Sequence, residues 1–154
     1  VKKNKNIYLQ IVGDTLPEYQ KYLDELYFDI KRRGLNNKIK FLGFRKDIIS
    51  ILDKSNFFIH TPISPDPFPT VIFEAIMCKI PVITNNLGGA YEILDHGNNG
   101  LIIKNDLVEE SAKKIFSFID KKELHHKNIE KAFNYVCDNF SQEQFKSKIL
   151  NSIG

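Results

Sequence analysis

Short apolar runs and helical periodicities alternate along most of the chain. Ile7–Val12 (IYLQIV) is strand-like and ends at Gly13-Asp14. Pro17 then opens a stretch in which Tyr19, Leu23, Leu26, Tyr27 and Ile30 recur at helical spacing. Gly34, after Lys31-Arg32-Arg33, is a helix stop with cations at the negative end of the dipole. Ile39–Phe44 (IKFLGF) predicts a second strand, Ile48, Ile49 and Leu52 a short helix, and Phe57–His60 (FFIH) a third strand. Thr61–Pro69 (TPISPDPFP) holds four of the six prolines and excludes regular structure. The pattern from Thr70 to Lys79 is helical, Pro81–Thr84 is a strand and Tyr91–Leu94 a short helix. The turn residues His96-Gly97-Asn98-Asn99-Gly100 lead into a strand at Leu101–Ile103. After Asp106 only helix is predicted, over Leu107–Asp120, Lys122–Asn139 and Gln142–Ile153, the last behind an N-cap candidate at Ser141.

The strands are continuous apolar runs alternating with helices, which marks a parallel sheet covered on both faces. The expected fold is α/β: a doubly wound, mostly parallel sheet with helices on both faces and a helical C-terminal tail, as one domain over residues 1–154. In such a sheet ligands bind where the carboxyl ends of strands lead into helix N-termini. The candidate loops are Gly13–Leu16, Gly43–Asp47, Thr61–Pro69 and Asn85–Ala90.

Composition narrows the function classes. With 42% apolar and 27% charged residues, 154 residues suit one globular domain with a real core. No apolar run has the length of a membrane span, and the polar, basic residues 1–6 precede no apolar segment of a signal peptide. The expected location is therefore the cytoplasm. The net charge of +3 is small, and the 22 cations, 19 of them Lys, form no stripe with aromatics of the kind that binds nucleic acid. Cys78 and Cys137 are expected to be reduced thiols, and no Cys/His spacing suggests a metal site.

The richest chemistry lies between Asp66 and Glu74. Pro69 fits the first position of a helix, where a missing N–H costs nothing. The amides of Thr70 and Val71, with the Thr70 hydroxyl beside them, then head a helix dipole and suit a diphosphate. Glu74 lies one turn on, on the same face, and leans back toward the helix start. Asp66 stands in the loop above. Two carboxylates beside an anion site suit a ligand with phosphate in the middle and polyol at both ends. On spacing alone, Asp66 as a turn former and Glu74 as a solvated helix residue are the favoured account of the pattern.

The run DPFPTVIFEAIMCKIPVITNNLGGAYEIL resembles the signature of family-4 retaining glycosyltransferases of the GT-B fold, in their Rossmann-like C-terminal, donor-binding domain. That signature has an acid, seven residues, a Glu, a small-residue helix end, Pro-Val and a Gly-Gly-x-x-Glu loop, here Gly88, Gly89 and Glu92. The resemblance extends upstream through IVGDT and KFLGFRKDI and downstream through DHGNNGLII and NFS. It implies that Asp66 contacts donor-sugar hydroxyls and Glu74 the ribose, the two forming the catalytic pair. Phe68, Thr70 and Val71 would lie along the diphosphate. Phe44 and Arg45 would sit by the base, mainly through backbone, while Gly13, Gly88 and Gly89 would let loops approach the ligand. The implied donor is a UDP- or GDP-linked sugar, handled without metal or other cofactor. The resemblance also implies an N-terminal acceptor-binding domain outside this chain, and peripheral association of the full enzyme with the inner face of the membrane in polysaccharide synthesis.

The chain departs from the family pattern at several positions. Asp66 stands where Glu is commoner, Pro69 where Gly is common, and Lys79 where the helix end usually has Gly. The family's Gly-Arg…Lys-Gly phosphate clamp precedes the strand at Ile7 and is not in this sequence, so the expectation is a fragment that binds nucleotide and transfers nothing alone. Two other functions fit the same fold: a nucleotide-sugar epimerase, which needs further acid/base residues, and a non-catalytic nucleotide-sugar-binding module. Among the remaining polar residues, His60 is expected to be a hydrogen-bonded strand-end residue instead of a base, His96, His125 and His126 turn or surface residues, and Ser64 and Thr61 lack the paired base of a nucleophile.

Overall fold

The computed structural model describes residues 7–104 and 106–153, so the basic stretch 1–6 lies outside the described residues. The chain divides into two compact units, Val1–Ile48 and Ile49–Gly154.

The first unit holds strand β1 (Leu9–Val12), a 3-10 turn at Pro17–Tyr19, helix α1 (Gln20–Arg32) and strand β2 (Ile39–Gly43). The two strands run parallel, with Leu9 opposite Ile39 and a register shift between Ile11 and Val12 that sets Val12 opposite Gly43. Gly34 ends α1 as predicted: at φ +66° its N–H donates to Lys31 O (3.0 Å) while Leu35 N–H donates to Ile30 O (2.9 Å). This left-handed cap satisfies two carbonyls that the last helical turn leaves open. The expectation of strands covered on both faces is not met at β1, where Leu9 and Val12 are each 38% exposed. One helix on two strands has too little volume to bury its apolar residues, and α1 contains no fully buried one.

Helix α2 (Ile48–Leu52) runs across the division in the chain. The second unit continues with β3 (Phe58–His60), α3 (Thr70–Met77), β4 (Val82–Asn85), α4 (Ala90–Ile93), a 3-10 turn (Asp95–Gly97), β5 (Leu101–Ile103), α5 (Val108–Asp120), α6 (Lys122–Phe140) and α7 (Gln142–Ile153). Its sheet is parallel in the order β3-β4-β5. The central strand fulfils the apolar-run argument: every residue of β4 is buried. Ile72, Ala75 and Ile76 of α3 pack beside it, at 0%, 0% and 2% exposure. Full burial of such a side chain contributes ~1.5–3 kcal/mol, so this α3/β4 layer is the core of the unit. Ser141 caps α7, its hydroxyl accepting from Gln144 N–H at 3.3 Å.

Element ends differ from the periodicity by one or two residues. β1 begins at Leu9 instead of Ile7, and β4 is displaced by one to Val82–Asn85. At β4 the reason is chemical. Asn85 is polar yet fully buried, because its side chain extends the sheet's bonding into the neighbouring loop.

Candidate functional site

The loops after β3 and β4 are joined to each other. Thr84 Oγ1 donates to His60 O and Asn85 Nδ2 to Pro62 O, both at 2.8 Å, so the ends of β3 and β4 share bonds beyond their ladder. Further out, Asp66 and Gly88 form an isolated parallel bridge, and Gly89 N–H donates to Asp66 O at 2.8 Å. The two glycines are required here for different reasons. Gly88 adopts φ +80°, which only glycine takes readily, and Gly89 has an ordinary φ of −72°. A methyl group on Gly89 would overlap the Pro67 carbonyl, lying 2.9 Å from its carbon, and one on Gly88 would lie 2.8 Å from Asp66 N. The close approach these residues permit is thus made by the chain to itself, with Asp66 as the residue being held.

Asp66 is half-buried, and one of its carboxylate oxygens, Oδ1, accepts from Phe68 N–H at 3.0 Å. It therefore forms the turn that its place between prolines suggested. Pro69 is buried (φ −69°) and caps α3 by backbone alone, with no side-chain cap bond. Thr70 and Val71 head the helix in exposed positions, and the turn closes at Ile72 N–H to Pro69 O, 3.1 Å. Uncapped amides at a helix start carry the positive end of the dipole. Glu74, half-buried, is one turn further on. Asp66, Phe68, Thr70, Val71, Glu74, Gly88 and Gly89 thus belong to one hydrogen-bonded assembly of two loops and a helix start within the second unit.

Aromatic packing supports that assembly from below. The Phe68 ring lies 4.9 Å from Phe73 on α3 and 6.3 Å from Phe140 at the end of α6, and Phe73 lies 5.3 Å from Phe140. Tyr135, on the preceding turn of α6, is 6.2 Å from Phe140. Sequence reasoning placed Phe68 along a diphosphate and missed both this cluster and the Thr84–Asn85 pair. A signal for the pair was present: two polar residues closing an otherwise apolar central strand. His60 stacks on Phe58 (6.4 Å, 10°), and its Nδ1 is buried without a hydrogen-bond partner, contrary to the expected bonded strand-end residue. Burial holds its pKa below the ordinary histidine value, against an opposing pull from Asp66.

The other predicted residues lie in the first unit. Gly13 (φ +127°) donates its N–H to Gly43 O at 2.9 Å, at the carboxyl ends of β1 and β2, with no atom within 4 Å of where a side chain would start. Phe44 follows and is 69% exposed. The Arg45 guanidinium is held by Asp47 through two bonds of 2.8 and 2.6 Å, which raise its pKa further. That leaves Phe44 as the free apolar face of this loop. Both cysteines are free thiols. Among the described residues no helix is long and apolar enough to cross a membrane.

Comparison with known proteins agrees with this architecture. HepE (Alr3699) of Anabaena, solved in complex with UDP, superposes with a TM-score of 0.85 at 33% identity, over 96% of this chain and 40% of that one. It has also been solved with UDP-glucose. The C-terminal domain of a group 1 glycosyl transferase (LpcC) from Francisella tularensis shares the fold, with a TM-score of 0.74 at 23% identity over 88% of this chain and 70% of that one. N-acetyl-alpha-D-glucosaminyl L-malate synthase of Bacillus anthracis is 26% identical over 140 residues, which are 91% of this chain and 35% of that protein. The chain thus spans well under half the length of such full-length relatives. The sequence model of the family described as Glycosyl transferases group 1 matches residues 1–135, and the chain belongs to that family, with its GT-B, Rossmann-like fold.

Proposed function

We propose that this chain is the donor-binding part of a retaining glycosyltransferase that takes a UDP-linked sugar and handles its diphosphate without metal. The observation that carries the reading is the start of α3, which has no side-chain cap bond and carries exposed Thr70 and Val71, flanked along the chain by Asp66 and Glu74. A nucleoside diphosphate sugar needs an anion site with hydrogen-bond acceptors on either side, and this segment offers both. The UDP and UDP-glucose complexes of the 33% identical HepE favour uridine over guanosine. Asp66 then accepts from sugar hydroxyls and Glu74 from the ribose. Phe68, Thr70 and Val71 line the diphosphate. Transfer itself belongs to the full-length protein, whose further residues supply the acceptor site. The chemistry asked of this part is positioning and stabilisation of the leaving diphosphate's charge.

Calorimetric titration of the chain with UDP and with a UDP-hexose tests the reading. Binding is expected with equal affinity in EDTA and in millimolar Mg²⁺. Glu74→Ala is expected to weaken UDP by roughly 10- to 100-fold, the value of a charged hydrogen bond. Asp66→Ala should chiefly remove the preference for UDP-hexose over UDP. Absence of any response to nucleoside diphosphates, or parental affinity in both variants, would refute the assignment.

A further inference from the structure

We infer that Phe140, the last residue of α6, is a positioning residue for the Asp66–Thr70 segment, so that helix α6 governs nucleotide affinity without touching the nucleotide. The inference rests on the function proposed above for that segment. Its warrant is the aromatic cluster. Phe140 meets both Phe68, two residues from Asp66 and two from Thr70, and Phe73 on the first turn of α3. Phe68 has few other means of fixing its place: it is 55% exposed, and its backbone N–H is committed to the Asp66 carboxylate. Four prolines exclude a strand or helix through residues 61–69, so ring packing and the bonds to Pro62, Asp66 and Gly88 replace regular structure there. Tyr135 backs Phe140 from one turn earlier, and α6 packs on α3. A ring that bridges a loop and the helix it caps fixes the angle between them. A chain of hydrogen bonds alone tolerates more movement at that angle, because the loop backbone has no ladder to align it. Nothing in this role requires Phe140 to reach a ligand.

The test separates positioning from bulk stability. Phe140→Ala and Phe140→Tyr are compared with Phe118→Ala. Phe118 is also half-buried, and packs instead in the cluster with Phe57 (6.1 Å) and His125 (5.0 Å). Two readouts are used on the 154-residue chain: affinity for UDP, and amide exchange of Phe68 and Ile72 relative to the buried β4 amides. Phe140→Ala is expected to weaken UDP about 10-fold, equivalent to ~1.4 kcal/mol, and to speed exchange at Phe68 and Ile72 while β4 stays protected. Phe140→Tyr should restore both, and Phe118→Ala should leave both near parental values. Parental affinity in Phe140→Ala, or equal losses in Phe140→Ala and Phe118→Ala, would overturn the inference. If the parent chain binds no UDP, the proposed function fails by itself, and the exchange pattern still decides whether Phe140 holds the loop.

Discussion

Replacing Gly89 by Ala probes the junction between the two site loops more directly than any change to a charged residue. Gly89 sits at φ −72° and ψ −8°, a conformation that alanine adopts without strain. Alanine also reduces the freedom of the unfolded chain, which by itself stabilises by ~0.4–1 kcal/mol. Against this stands the contact. The new methyl would overlap the Pro67 carbonyl, 2.9 Å from its carbon where ordinary contact begins at 3.4 Å, and both atoms belong to backbone that cannot rotate away. Forcing such a group into a packed site costs about 1–3 kcal/mol. Displacing the loop stretches the Gly89 N–H to Asp66 O bond of 2.8 Å, worth another ~1 kcal/mol. The net is a loss of about 2 kcal/mol, or ~4–8 °C in melting temperature for a chain of this size. Urea and thermal unfolding followed by circular dichroism measure it. Gly34→Ala is the complementary control, since Gly34 has φ +66° and nothing within 4 Å of a new methyl, so its cost is conformational alone. Because the Gly89 change moves Asp66, its UDP-hexose affinity should fall as well. A Gly89→Ala chain as stable as the parent would show that the two loops do not approach as described, and the account of the site built on that approach would fail with it.

Two further outcomes follow from the backbone and from burial. Lys79 occupies the left-handed cap position of α3 at φ +55°, with Lys79 N–H donating to Ile76 O and Ile80 N–H to Ala75 O, the same motif that Gly34 completes in α1. Its ammonium lies 5.6 Å from the Phe133 ring, a contact of ~0.5 kcal/mol that partly offsets the strain. Chemical denaturation should therefore rank the variants Gly above Lys above Ala at this position, with Gly about 1 kcal/mol above Ala, and an Ala variant matching Gly would contradict the left-handed assignment. His60 is held below its ordinary pKa of 6.5 chiefly by burial, so the native chain takes up its proton less readily than the unfolded one. Its contribution to stability is complete above pH 6.5 and is lost as pH falls through the lowered native value. His60→Asn should flatten the stability profile just below pH 6.5, and an unchanged slope there would count against a half-buried neutral imidazole.

Much of the second unit was legible from the sequence, because the rules that predict it are local. Apolar runs and 3.6-residue periodicity report which face of a segment meets the core, and they placed α3, β4, α5, α6 and α7 to within a residue or two. Caps are local as well, so Gly34 and Ser141 ended and began helices where expected. The resemblance of Asp66–Leu94 to a known signature led to the family without any coordinates. What the tertiary structure decided involves residues far apart in the chain. Gly88 and Gly89 are required by Asp66 and Pro67, Asn85 is buried because Pro62 accepts its side chain, and Phe68 is backed by Phe140 some seventy positions later. Lys79 takes a glycine's dihedral because the turn into Ile80 demands it, against its own preference. β1, apolar as any core strand, stays partly exposed within a unit too small to cover it. Periodicity tells a segment which side to hide; whether a partner is there to hide it, and which backbone must pass close to which, depends on chain geometry that no short window of sequence contains.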